Sequence, residues 1–155
     1  MNIQSIPTHA VLAQEFEETT GQPWAEGGQI ALRIGDNLDL SVEIDPDTSR
    51  LLVSASVERE ELLLSADQLR LISTACISAM AEIGVAIGLH PIFERAVVAW
   101  SAALDDVRPG MLAERMGTVI ASALELEQQL TQLREAPIEP LPAGASPADS
   151  HLLRA

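Results

Sequence analysis

Three observations in the amino-acid sequence predict an α+β fold: a helix, a three-stranded antiparallel meander, a second helix, a β-hairpin and a closing helix, packed as a sandwich. Apolar residues first recur at helical spacing, then alternate with their neighbours through Ile30–Ile34 and Leu38–Ile44, then return to helical spacing in two later stretches. Short clusters of turn residues separate the alternating runs, so the strands pair as neighbours. The last apolar stripe extends over roughly 25 residues, long enough to lie across a sheet.

The composition bounds the class. Of 155 residues, 47% are hydrophobic, which excludes a disordered chain. The formal charge is −14, and all 9 basic residues are arginine. So acidic a surface is a poor partner for nucleic-acid phosphates or anionic membranes. A single cysteine, Cys76, forms no internal disulfide, and nothing points to an oxidising compartment. Residues 1–135 are read as one domain, burying roughly two-thirds of its unfolded surface. Residues 136–155, with Pro137, Pro140, Pro142 and Pro147, are read as a flexible appendage.

The start, Met1 to Pro7, has no basic residue and no long apolar run, so no secretory signal is expected there. Thr8 to Thr20 reads as a short amphipathic helix, with Val11, Leu12 and Phe16 on one side and Gly21 and Pro23 at its end. Ile30, Leu32 and Ile34 make the first strand. A turn at Gly35-Asp36-Asn37 leads into Leu38, Leu40, Val42 and Ile44. The Asp45–Ser49 cluster turns the chain again, into a third strand from Leu51 to Val57. One face of this meander is polar and the other dry.

Ser65 followed by Gln68 is a capping-box pattern, opening a helix with Leu69, Ile72, Cys76, Ala79, Met80 and Ile83. The stretch Leu71–Leu89 carries only Glu82 as a charge, but its small residues and that carboxylate argue for a buried helix and strand rather than a membrane span. Gly84 marks the change to a strand over Val85–Leu89, His90-Pro91 breaks it, and a further strand runs from Ala96 towards Leu104. Pro109 is placed in the first turn of the last helix. Along that helix Leu112, Met116, Val119, Ala123, Leu126, Leu130 and Leu133 form one stripe, read as packing on the chain's own sheet in preference to a coiled coil.

No chemistry-bearing constellation emerges. Cys76 lies mid-helix, away from any feature that lowers a thiol pKa. His9, His90 and His151 have no metal spacing. Asp45-x-Asp47-x-Ser49 opens like a calcium loop, but Arg50 replaces the glycine and Ser56 the closing glutamate. Gly27-Gly28 is not a phosphate loop. The reading is therefore a binding protein, not an enzyme, with no cofactor and no metal.

The stretches from Gln29 to Val57, from Gly84 to Trp100 and from Met111 onward, together with the first helix, resemble the Tir-chaperone family of type III secretion. The resemblance spans about residues 8 to 134. It implies a homodimer in the bacterial cytoplasm that holds the N-terminal region of a secreted effector partly unfolded and secretion-competent, without nucleotide. The family's second helix and following strand form much of its dimer seam, and the matching residues here are Leu69, Ile72, Cys76, Met80, Val85 and Ile87. Binding of extended chain calls for strand edges and apolar patches, for which Val11, Leu12, Phe16, Ile30, Leu32, Leu38 and Leu40 are the candidates. The alternative within the same fold is an adaptor or regulator that binds a folded partner.

Overall fold

Strict alternation of side chains produces one antiparallel sheet. The computed structural model describes residues 8–24, 28–57, 64–92 and 95–135. Strands β1 (Ile30–Ile34), β2 (Leu38–Asp45) and β3 (Arg50–Val57) form the meander. Leu32 stands opposite Leu40, Leu40 opposite Ala55, and Val42 opposite Val53, so every inward residue meets an inward residue. The hairpin strands β4 (Ala86–Leu89) and β5 (Ala96–Ala103) join the same sheet, and β5 lies between β3 and β4 in the order β1-β2-β3-β5-β4. The edges are therefore β1 and β4.

Three helices accompany the sheet. Helix α1 (Thr8–Thr20) ends where Gly21, at φ 70°, donates its N–H to the Glu17 carbonyl at 2.8 Å. Helix α2 (Ala66–Glu82) opens with the capping box expected from its sequence: Ser65 Oγ accepts from the Gln68 N–H at 3.2 Å, and Gln68 Oε1 accepts from the Ser65 N–H at 2.9 Å. Gly84, at φ 71°, closes it and feeds β4. Helix α3 (Met111–Glu135) follows a single 3₁₀ turn, Leu104–Asp106.

The start of α3 corrects the sequence reading. Pro109 precedes the helix instead of occupying its first turn, because Gly110 takes φ 84° and the helix begins at Met111. The dry face of the sheet packs beneath α3, whose residues Leu112, Met116, Val119, Ala123, Leu126 and Leu130 are all buried. The stripe thus serves the subunit's own core. Leu133, its last member, is exposed. The opposite face of the sheet, with Ser41, Glu43, Ser54 and Ser56, carries no helix among the described residues and stays half-exposed. No helix among the described residues is long and apolar enough to cross a membrane. The proline-rich segment 136–155, with His151, lies outside the described residues.

Candidate functional site

The two sheet edges differ in what surrounds them. Edge β1 pairs only with β2, so among the described residues one row of its backbone N–H and C=O groups has no strand beside it. Its inward residues Ile30, Leu32 and Ile34 are half-buried, because α3 crosses the sheet further in. Between this edge, the end of α1 and the first turns of α3 lies an open groove of about 430 Å³. Leu32, Ile34 and Leu40 line its sheet side, Met116 and Ile120 its helix side, and Thr20 its end. Arg33, on the outward face of β1, donates to Asp39 Oδ1 at 2.8 Å and to the Asp36 carbonyl. Glu18, next in sequence to Thr19 of the groove, and Glu17 and Asp36, each two residues from a groove residue, are exposed. Apolar walls, a free backbone edge and an acidic surround suit an extended peptide rather than a small polar metabolite.

Of the residues expected to meet a client, the structure separates two groups. Leu12, Phe16, Leu38 and Leu40 are at most 2% exposed and belong to the core. That corrects their assignment: Phe16 packs its ring against Trp24 at 5.6 Å beneath α1, and Leu12 lies one turn before it. Leu40 retains a part as the floor of the groove. Val11, Ile30 and Leu32 are half-buried and keep surface to offer.

A second apolar surface covers α2. Leu69, Ile77, Met80 and Ile83 are exposed on this helix, Ile77 by 75% and Met80 by 60%; Leu89, at the end of β4, and Ile92, in the turn after it, are exposed as well. Cys76, half-buried, sits in the same row. Of the six residues expected in a dimer seam, Leu69, Cys76 and Met80 reach this surface. Ile72, Val85 and Ile87 do not, since they are buried against the subunit's own core, and this corrects their assignment. Sequence reasoning missed Ile77 and Ile83. The signal was present as a second apolar row, Leu69-Ser73-Cys76-Ile77-Met80, offset from the core row through Ile72.

Elsewhere the surface offers little chemistry. Among the described residues, no group of three His, Cys, Asp or Glu side chains is placed to hold a metal ion. The Asp45 carboxyl is held below its ordinary value first by the Thr48 hydroxyl and then by the Asp47 N–H. This is turn chemistry, not a site.

This fold, three helices with a five-stranded antiparallel sheet, is similar to that of solved class I type III secretion chaperones. The similarity holds over most of the chain. The ExsC–ExsE complex aligns with TM-score 0.59 and 16% identity, over 83% of this chain and 95% of that one. The HopA1–SchA chaperone–effector complex aligns with TM-score 0.57 and 15% identity, over 81% and 94%. The heterodimeric ExoU–SpcU complex of the Pseudomonas aeruginosa type III secretion system gives TM-score 0.53 and 14% identity, over 81% and 95%. No family model matches the sequence, and no curated protein matches it.

Proposed function

We propose that this chain is a homodimeric chaperone of the bacterial cytoplasm, a binding protein rather than an enzyme. It takes the N-terminal segment of a type III secreted effector and keeps it extended for export. The observation that carries this reading is the open β1 edge beside the apolar groove, in a fold shared with a chaperone–effector complex. Strand addition supplies affinity through the backbone and selects sequence only through alternate side chains, which suits a partner held unfolded. The exposed α2 surface supplies a self-complementary face for a two-fold pair, and the charge of −14 keeps that pair soluble.

Two measurements test it. Light scattering is expected to give 33.2 kDa, twice the 16.6 kDa of the chain. The chain is then purified from its native host, and whatever accompanies it is trimmed with protease. A short, intrinsically unfolded N-terminal segment of a secreted protein is expected to remain bound. An intact folded partner that resists trimming would favour the adaptor reading instead, and a monomer at micromolar concentration would defeat the dimer.

A further inference from the structure

Gly117 stands inside α3, where glycine lowers helix stability relative to alanine. A glycine in such a place is useful for one of three physical reasons. The backbone needs a positive φ, a neighbouring element approaches too closely for a Cβ, or space is kept for something outside the subunit. The first fails, since Gly117 is not among the positive-φ glycines of the chain. The second fails too: no atom from another part of the described chain lies within 4 Å of where its Cβ would stand. The third remains, and Gly117 is exposed on the wall of the groove beside β1, facing Leu32 and Ile34 across it.

We infer that Gly117 is a specificity-determining residue of the client groove, leaving room for bulky inward side chains of a strand added to β1. This rests on the reading of β1 as the client edge. A strand paired there lies about 4.8 Å outside β1 and sends every second side chain towards α3. Those side chains meet Gly117 and Ile120 on the helix, while the residues between them face solvent. The groove therefore takes large aliphatic or aromatic residues at alternate positions. The acidic residues Glu17, Glu18 and Asp36 favour arginine or lysine at the ends of the same segment.

The probe is a short fluorescein-labelled peptide that alternates threonine with isoleucine and ends in arginine, followed by anisotropy against the full chain. The control peptide is N-methylated at every backbone amide, which removes its donors to the edge whichever residues face it. Gly117→Leu is expected to weaken binding of the first peptide by about tenfold or more. Gly117→Ala falls between the two and melts at a higher temperature than the unaltered chain. Equal affinity for all three proteins overturns the inference while leaving β1 as the client edge. No binding to the unaltered chain, or equal binding of the N-methylated control, removes the edge reading and the inference together. Should Gly117→Leu not fold, Gly117→Ala decides: a lower melting temperature would place the glycine in the subunit's own packing and overturn the proposal.

Discussion

The carboxylate of Glu15, in α1, is the N-terminal cap of α3 at Ala113. Its Oε1 accepts from the Ala113 N–H at 2.9 Å and its Oε2 from the Gly110 N–H at 3.1 Å. The first N–H groups of a helix have no partner within it, and the helix dipole favours negative charge there. One side chain thus answers two donors from 95 and 98 residues away, and fastens α1 to the helix that spans the sheet. Replacing a capping side chain with alanine costs about 1–2 kcal/mol. Glu15→Ala is therefore expected to lower the midpoint of thermal unfolding by several degrees, with Glu15→Gln in between, as followed by circular dichroism. An unchanged midpoint for Glu15→Ala would mean that water serves the two donors equally well.

Gln68 carries a comparable double duty at the other end of the helix layer. Its Oε1 closes the capping box of α2, while its Nε2 donates to the Leu130 carbonyl of α3 at 3.1 Å. It is the only buried polar side chain among the described residues. The Leu130 carbonyl also accepts within α3, so truncation removes its second, buried donor, at about 0.5–1.5 kcal/mol. Gln68→Ala should thus cost more than Ser65→Ala, which removes only the local cap. Urea unfolding of the two variants measures the difference, and equal midpoints would remove the link to Leu130 from the account.

Much of this fold was legible in the sequence because local and tertiary demands coincide. Thr8–Thr20 and Ile30–Ile34 have the bounds that their periodicity implies, and Ser65 caps α2 as its spacing to Gln68 requires. The start of α3 was not legible, because its cap arrives from Glu15, far away in sequence. Burial on the amphipathic elements was the harder question. Apolar spacing marks Phe16 and Leu32 alike, but Phe16 points from α1 into the core whereas Leu32 lies on an edge that no helix among the described residues covers. Which apolar row of α2 turns inward is likewise set by where α3 and β4 lie, so Ile72, expected in the seam, is buried, while Ile77, to which the sequence assigned no role, is exposed.

That contrast between Phe16 and Leu32 is itself testable. Removing the fully buried Phe16 ring should cost about 3–5 kcal/mol, and a charge in its place more still. Phe16→Asp is expected to unfold the protein. Leu32→Asp, on a half-buried edge residue, should leave the far-ultraviolet dichroism intact while abolishing capture of the effector segment. The reverse pattern would mean that α1 lifts from the core to expose Phe16.

The Asp45 carboxyl gives a pH-dependent element. In the folded chain it accepts from the Thr48 hydroxyl at 2.6 Å and from the Asp47 N–H at 2.9 Å, which lowers its pKa below 3.8. Because the folded value is the depressed one, its contribution is present above the unfolded pKa and is lost as pH falls through the folded value. Carboxyl carbon shifts followed against pH should place its titration midpoint below 3.8. Thr48→Val, which removes the principal donor, should return it towards 3.8. A midpoint unmoved by that substitution would refute the assigned cause.

The exposed row on α2 is the seam of the proposed dimer. Ile77 and Met80 contribute nothing to the subunit's own core, being 75% and 60% exposed, so charging them should not unfold the chain. In a two-fold seam each substitution appears twice, and both copies must lose water as they meet. Ile77→Asp combined with Met80→Asp is therefore expected to reduce the mass in light scattering from 33.2 to 16.6 kDa, with the melting curve still cooperative. Ser54→Asp, on the uncovered face of the sheet, serves as the matched change in charge and should leave the pair intact. If the α2 variant stays paired, the copies meet through another surface, and the row on α2 is left for a different partner. If Ser54→Asp separates them instead, the seam runs across the polar face of the sheet.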